Sequence, residues 1–309
     1  MSIKKIEDHI YLIDVEAGGI RNFVASYVLI DESVAIVETG PASSIPNLLH
    51  GLNKLNVKPE DVAYIAVTHV HIDHSGGVGT LLRALPKAEV IVHRRGAVHL
   101  ANPDRLWQQS KMVLGEKIAE IYGKPEPVPM EKIIAASEGL NFKIGDDVAL
   151  KGIETLGHAP HHLCYYEPLS EGIFTGDAAG VYLDEIEVIV PTTPPPFRLD
   201  IALASLEKLA NLKPKVLYYT HFGMAKGALE KLEAYAGRLK LWAKITRQAI
   251  KNGENFEAIR KRIFENDEAV GKARGYIKAH RGILGESVLN ESVEGFIGYL
   301  KEFGETVSA

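Results

Sequence analysis

Apolar residues in the first forty positions fall in short β-branched and aromatic runs, IYLIDV, FVASYVLI and SVAIVET, with Asp31 and Glu32 between the last two. That pattern predicts strands, with a hairpin turning at the acidic pair. From Pro46 to Asn56 the period changes, and Leu48, Leu49, Leu52 and Leu55 recur at helical spacing. A strand (AYIAVT), a helix near Val78 to Leu85 and a second strand (EVIVH) follow, then a helix from Asp104 to Tyr122 that the proline-rich GKPEPVP terminates. Strand signals resume in KIIAA, DVALKGIETL, CYYEP, GIFTGD and VLYYTH, with a helix from Ile201 to Leu212 before the last of them. After Gly227 every apolar run has helical spacing. The predicted organisation is an α/β body over residues 1–224 and a helical C-terminal region over 225–309. The two strand-rich blocks, 3–92 and 133–220, can bury their apolar faces by packing as two sheets with helices outside.

Composition narrows the chemistry. A chain of 309 residues that is 46% hydrophobic can build one large core, and its formal charge of -5 exerts no overall pull on nucleic acid or anionic membrane. The start, MSIKKIEDHIYLID, becomes charged too soon for a signal core, and no window is apolar enough for a span, so a cytoplasmic location is the expectation. With Cys164 the single cysteine, an intramolecular disulfide and a thiolate zinc cluster are both excluded. Any metal site must therefore be built from His, Asp and Glu. Three glutamines and four methionines make a composition often seen in thermophile proteins.

The stretch THVHIDHSGG, residues 68–77, places His69, His71, Asp73 and His74 directly after an apolar strand. Burying such a cluster without a cation costs several kcal/mol, on the order of the penalty for unpaired buried charges. Imidazole and carboxylate are the ligands that Zn²⁺ takes when thiolates are lacking, and Mn²⁺ or Fe²⁺ accept them too. In an extended chain His69 and His71 point to one side, while Asp73 and His74, around the turn, face a second point. This spacing suggests two neighbouring metals, which need more ligands than one segment holds. Other strand ends offer them: His158, His161 and His162 after DVALKGIETL, Asp177 after GIFTG, and His221 after VLYYT.

With these motifs the chain resembles the metallo-β-lactamase-fold hydrolases, whose signature is His-x-His-x-Asp-His followed by a later His, Asp and His. The resemblance covers residues 1 to about 224 and implies a four-layer αβ/βα sandwich with the site at one edge of its two sheets, here followed by the α-helical extension. It implies that His69, His71 and His158 bind one metal, that Asp73, His74 and His221 bind the other, and that Asp177 bridges them. His162 becomes a supporting residue and His161 a pocket residue. Glu38 of Glu38-Thr39-Gly40 stands where the family often has the aspartate of Asp-Thr-Gly. The implied cofactor is two divalent ions, Zn first, with Mn, Fe or Co as alternatives. Two such ions about 3.5–4 Å apart lower the pKa of a shared water to about 7 and so supply hydroxide. Asp73 and Asp177 are the candidates for moving a proton, although ligation lowers their basicity.

The implied activity is hydrolysis of an ester-type bond in a small molecule, whether thioester, lactone, phosphoester or phosphotriester. The helical tail is shared in outline with glyoxalase II, but the sequence similarity is confined to the metal motifs. Trp107, Tyr182, Phe197 and Arg198 are candidates for an apolar pocket with one anchor. A nuclease is the weaker reading, because the basic residues from Arg238 to Arg262 spread around amphipathic helices as on a solvated face. An iron-dependent sulfur dioxygenase is a further alternative. The tail is expected to serve dimerisation or to cover the active site, and no membrane partner is expected.

Overall fold

The structure, a computed structural model, describes residues 1–304, and the elements below are those among the described residues. The last five positions of the region expected to be helical lie outside them. The chain divides into two compact units that do not follow chain order.

The first unit comprises Met1–Glu154, His161–Gly176 and Lys215–Lys226. One sheet runs in chain order through β1 (Ile3–Lys5), β2 (Ile10–Asp14), β3 (Ala25–Ile30), β4 (Val34–Val37), β5 (Val62–Ala66), β6 (Glu89–His93) and β7 (Ile133–Ala136). The first four strands form an antiparallel meander, and β4 to β7 are parallel. Parallel neighbours need crossovers. Helix α1 (Ile45–Lys54) crosses from β4 to β5; α2 (Ile72–Ser75) and α3 (Val78–Leu82) lead to β6; α4 (Ala97–Ala101), α5 (Asp104–Leu114) and α6 (Glu116–Tyr122) lead to β7. The helix expected over Asp104 to Tyr122 breaks into α5 and α6 at Gly115, whose φ of 83° a residue with a Cβ rarely adopts.

The second sheet contains β8 (Asn141–Lys143), β9 (Ala149–Glu154), β10 (Leu163–Glu167) and β11 (Gly172–Gly176). The chain then forms a separate hairpin of β12 (Val181–Leu183) and β13 (Val188–Val190), and later returns to this sheet as β14 (Val216–Tyr219) and β15 (Gly223–Lys226). Its order is β15-β14-β11-β10-β9-β8, with β11 and β14 parallel. The two sheets share one apolar core, in which Leu12, Tyr27, Leu29 and Ala66 cluster with Leu150, Leu163, Tyr165, Phe174 and Tyr218. Buried hydroxyls need partners. Tyr27 donates to the Tyr219 carbonyl at 2.7 Å and Tyr165 to the Val67 carbonyl at 2.8 Å, so each links one sheet to a chain segment at a strand end of the other.

The second unit holds Thr155–Pro160, Asp177–Pro214 and the chain from Gly227 onward. It contains the β12–β13 hairpin and the helices α7 (Leu199–Asn211), α8 (Ala228–Lys251), α9 (Phe256–Asn266), α10 (Glu268–His280) and α11 (Gly282–Phe303). Its aromatic core joins Phe197, Trp242 and Phe296, with ring centroids 5.1 and 5.7 Å from that of Phe296. Asp267, which is buried, accepts from Arg238 Nε at 3.0 Å and Trp242 Nε1 at 2.8 Å while capping α10 through Ala269 N–H. None of the helices among the described residues is long and apolar enough to cross a membrane.

Two expectations follow. Asp267→Ala leaves a guanidinium and an indole N–H without their acceptor, and in chemical denaturation should lower stability by about 3 kcal/mol. His93, at the end of β6, is buried, and its Nε2 lies 3.0 Å from Glu154 Oε1. Burial holds its pKa below the usual 6.5, against the raising effect of Glu154. The folded state therefore binds fewer protons there than the unfolded one, and stability from this site is present above about pH 6.5 and lost as pH falls toward the lower folded value. Unfolding midpoints measured from pH 7 to 5 should fall less steeply in His93→Gln than in wild type.

Candidate metal centre

The THVHIDHSGG segment leaves β5 and turns at once into α2, with His71 as its extended N-cap residue. Asp73 and His74 thus sit on a short helix, one turn past His69 and His71. Ser75 lies inside α2 and directs its Oγ to the His71 carbonyl. The Glu38-Thr39-Gly40 loop at the end of β4 is stitched to this turn. The Thr39 N–H and hydroxyl both donate to the His74 carbonyl at 3.0 Å, and the Gly77 N–H donates to the Gly40 carbonyl at 2.9 Å.

Glu38 shows what its extra methylene does. One carboxylate oxygen accepts the Thr68 N–H at 2.5 Å and the other pairs with His74 Nδ1. Its backbone stands at φ 67°, a left-handed conformation that costs a residue with a Cβ about 1–2 kcal/mol. These buried, charge-assisted bonds offset that cost. Glu38 therefore orients a candidate ligand as the shorter aspartate of the family pattern would be expected to.

The proton positions follow from the partners. His74 Nδ1 faces a carboxylate and His221 Nδ1 faces the Phe23 carbonyl at 2.7 Å, so both Nδ1 atoms carry hydrogen. The two Nε2 atoms, 3.2 Å apart, then present lone pairs to each other. Asp73 Oδ2 joins them at 3.4 Å from His221 Nε2 and 3.9 Å from His74 Nε2. Three electron-rich atoms converging in this way are a donor set for a cation and fit a divalent metal. His69 Nε2 and His71 Nδ1 lie 2.9 Å apart beside them, with His69 Nδ1 2.9 Å from the Thr68 hydroxyl.

His162 stacks on His69 with centroids 4.9 Å apart, and a Cβ at Gly176 would stand 2.7 Å from its Nε2 and 2.5 Å from Thr68 Oγ1. Glycine at the end of β11 makes room for both. His161 lies 6.3 Å from His69 and 6.0 Å from His71 between ring centres. The second unit carries the remaining predicted ligands. His158 Nδ1 donates to the Thr192 carbonyl at 2.8 Å, which leaves its Nε2 3.4 Å from Asp177 Oδ2; the same oxygen accepts from the Thr192 hydroxyl at 3.2 Å.

A family model described as the metallo-beta-lactamase superfamily matches residues 19–221. The chain belongs to that superfamily. It is 31% identical over 219 residues to the metallo-beta-lactamase fold-containing protein ST1585 of Sulfurisphaera tokodaii, a match covering 69% of this chain and 78% of that one. The crystal structure of ST1585 superposes with a TM-score of 0.64 over 74% of this chain and 85% of that one, at 28% identity. The metallo-beta-lactamase family protein TTHA1429 of Thermus thermophilus shares the fold over 97% of this chain and 95% of its own, with a TM-score of 0.71 at 21% identity. A hydroxyacylglutathione hydrolase of Nitrosococcus oceani is 27% identical over 168 residues, 52% of this chain and 48% of that enzyme, so the match spans about half its length.

In this metallo-beta-lactamase superfamily member the predicted pocket residues Trp107, Tyr182 and Phe197 are buried, whereas Arg198 is partly exposed. Trp107 is buried on α5 beneath Lys111 Nζ, 5.4 Å from the ring. Tyr182 is buried on β12 with Lys231 Nζ 4.9 Å from its ring, and burial pushes its phenol pKa up. Phe197 packs on Phe296, while Arg198 is chelated by Asp200 at 3.1 and 2.7 Å, a pair that raises the Arg198 pKa and lowers that of Asp200. His99 was not among the site residues expected from the sequence. Its ring lies 6.2 Å from His161, on a five-residue helix too short to show a period. The one available signal was the three-residue spacing of His99, Asn102 and Arg105.

If Glu38 fixes His74 as these contacts indicate, Glu38→Ala should weaken divalent-metal binding about 10–100-fold, the usual effect of removing such an orienting partner. Competition with a chromogenic chelator measures it.

Proposed function

We propose that this chain is a dinuclear metal-dependent hydrolase of ester-type bonds, with thioesters the first class to examine. His69, His71 and His158 are assigned to one ion, Asp73, His74 and His221 to the other, and Asp177 to both. The convergence of His74, His221 and Asp73 donor atoms carries the reading, because it is a donor set that suits a divalent cation. Chain connectivity supports the rest of the set: Asp177 directly follows the last residue of β11, and His158 lies in the six residues between β9 and His161. The likeness to a hydroxyacylglutathione hydrolase supports the choice of thioesters.

Divalent cations bound by these ligands would acidify a water and polarise the scissile carbonyl. The protein's own part is orientation and proton handling. Glu38 and the Phe23 carbonyl keep the His74 and His221 protons on Nδ1, away from the reacting side. Of the two proton-shuttle candidates, Asp73 and Asp177, we assign the transfer to a departing thiolate or alkoxide to Asp73, which keeps a side-chain exposure of 23%. A covalent cysteine route is not supported, since Cys164 is fully buried with Sγ 3.3 Å from the Thr175 carbonyl.

The test is a panel of thioesters, lactones, phosphodiesters and phosphotriesters assayed with Zn, Mn, Fe or Co. Turnover should require metal, and Asp177→Ala should lower kcat/KM by at least about 100-fold, beyond the upper range for merely orienting residues. Equal inactivity of both proteins on every substrate, or oxygen consumption by an iron form in place of hydrolysis, would overturn the proposal.

A further inference from the structure

The first unit holds an open surface pocket of about 400 Å³ lined by Val98, His99, Asn102, Asp104 and Arg105, where α4 hands over to α5. Its volume falls within the range of small-molecule sites. The site-directed side is polar. The His99 ring stands 6.2 Å from that of His161, whose own ring is 6.0 Å from His71 and 6.3 Å from His69. A line of imidazoles therefore connects this rim to the histidine cluster within one unit.

The charges around the cavity favour an anion. Arg105 makes no ion pair among the described residues. The one acid on the rim is already engaged, since Lys124 Nζ lies 2.7 Å from Asp104 Oδ1. Asn102 accepts the Asp104 N–H at 3.4 Å through Oδ1, which leaves its amide NH₂ available as a donor. A guanidinium, an amide NH₂ and an imidazole thus line one cavity at three-residue spacing. Val98, 62% exposed, adds an apolar wall beside them. Oxyanions are the ligands that such a fork of donors matches.

We propose that this cavity is a substrate subsite that holds a carboxylate or phosphate group of the ester, several bonds from the scissile carbonyl, with Arg105 as its principal contact. The inference rests on the hydrolase reading above and narrows it: the substrate is an anionic ester, with a short carbon chain between anion and reacting centre lying along Val98. No bond is made or broken in the subsite. Arg105 and Asn102 position the substrate, and the prediction is a specificity effect expressed in KM.

The test compares the thioesters S-acetyl-3-mercaptopropionate and S-acetyl-2-mercaptoethyl phosphate with the neutral S-acetylpropanethiol, using the full-length metal-loaded protein. Wild type should prefer at least one anionic thioester through a lower KM. Arg105→Gln should reduce the anionic-to-neutral ratio of kcat/KM about tenfold, the scale of one charge-assisted hydrogen bond. Arg105→Lys should retain part of the ratio. Lys117→Gln, which removes an exposed charge from α6, should leave it unchanged. The anion that gains more identifies the source, carboxylate or phosphate. Calorimetric titration with glutarate and with inorganic phosphate gives a readout independent of turnover, and saturable binding of one of them should be lost in Arg105→Gln. Arg105-dependent binding without hydrolysis of any thioester would support the subsite and count against the hydrolase reading. Hydrolysis with the same ratio in wild type and Arg105→Gln, or anion binding indifferent to Arg105, would overturn the subsite and leave the hydrolase reading standing.

Discussion

Two imidazole nitrogens facing each other at 3.2 Å with a carboxylate oxygen beside them form the constraint on which the rest of this site depends. Without a cation, that convergence is repulsive, and water would normally relieve it by separating the groups. Here His74 is 0% exposed and His221 4% exposed, and each is tied at Nδ1 to a fixed acceptor. The backbone cannot easily release them either, because the turn bearing His74 is bonded to the Glu38-Thr39-Gly40 loop through its carbonyl. The fold thus holds in place an arrangement that is unfavourable unless a proton or a metal ion shares the lone pairs.

Strand ends supply this rigidity. β4 and β5 are parallel, and so are β11 and β14, so loops leaving their carboxyl ends emerge on one side of each pair. Glu38 follows β4, His69 follows β5, and His221 follows β14, while Asp177 is the residue after β11. The buried tyrosine hydroxyls that bridge the sheets anchor the same ends, Tyr165 at Val67 and Tyr27 at Tyr219. Packing in the core and geometry at the site are therefore coupled through a few backbone carbonyls. The strained φ of Glu38 belongs to the same economy, a local cost kept because its carboxylate serves two partners.

How much of this was legible beforehand depended on the kind of signal. Long apolar runs such as AYIAV and VLYY announced their strands, and the helices from Ala228 on announced theirs, because both periods repeat enough times to be read. The two-sheet body with C-terminal helices follows from them, and the superfamily match agrees. The candidate ligand types were legible because a chain with a single cysteine must build a metal site from His, Asp and Glu, whereas the choice of individual residues rested on the family resemblance. Three things were not. Helix α4 and the β12–β13 hairpin are too short to show a period, so the cavity beside His99 had no outline in the sequence. Gly115 read as part of a helix, since nothing local declares that its φ will be positive. Whether Glu38 could replace an aspartate depended on a backbone angle and on Thr68 being within reach, both products of tertiary structure.

Metal stoichiometry tests the central claim most directly. Protein purified anaerobically, without added metal or chelator, and analysed by inductively coupled plasma mass spectrometry should carry close to two equivalents of divalent transition metal per chain. Removal of that metal should lower the thermal unfolding midpoint, because the repulsive donor set would lose its cation. A chain that arrives metal-free, takes up none from Zn, Mn, Fe or Co, and unfolds at the same temperature with and without them would contradict the account.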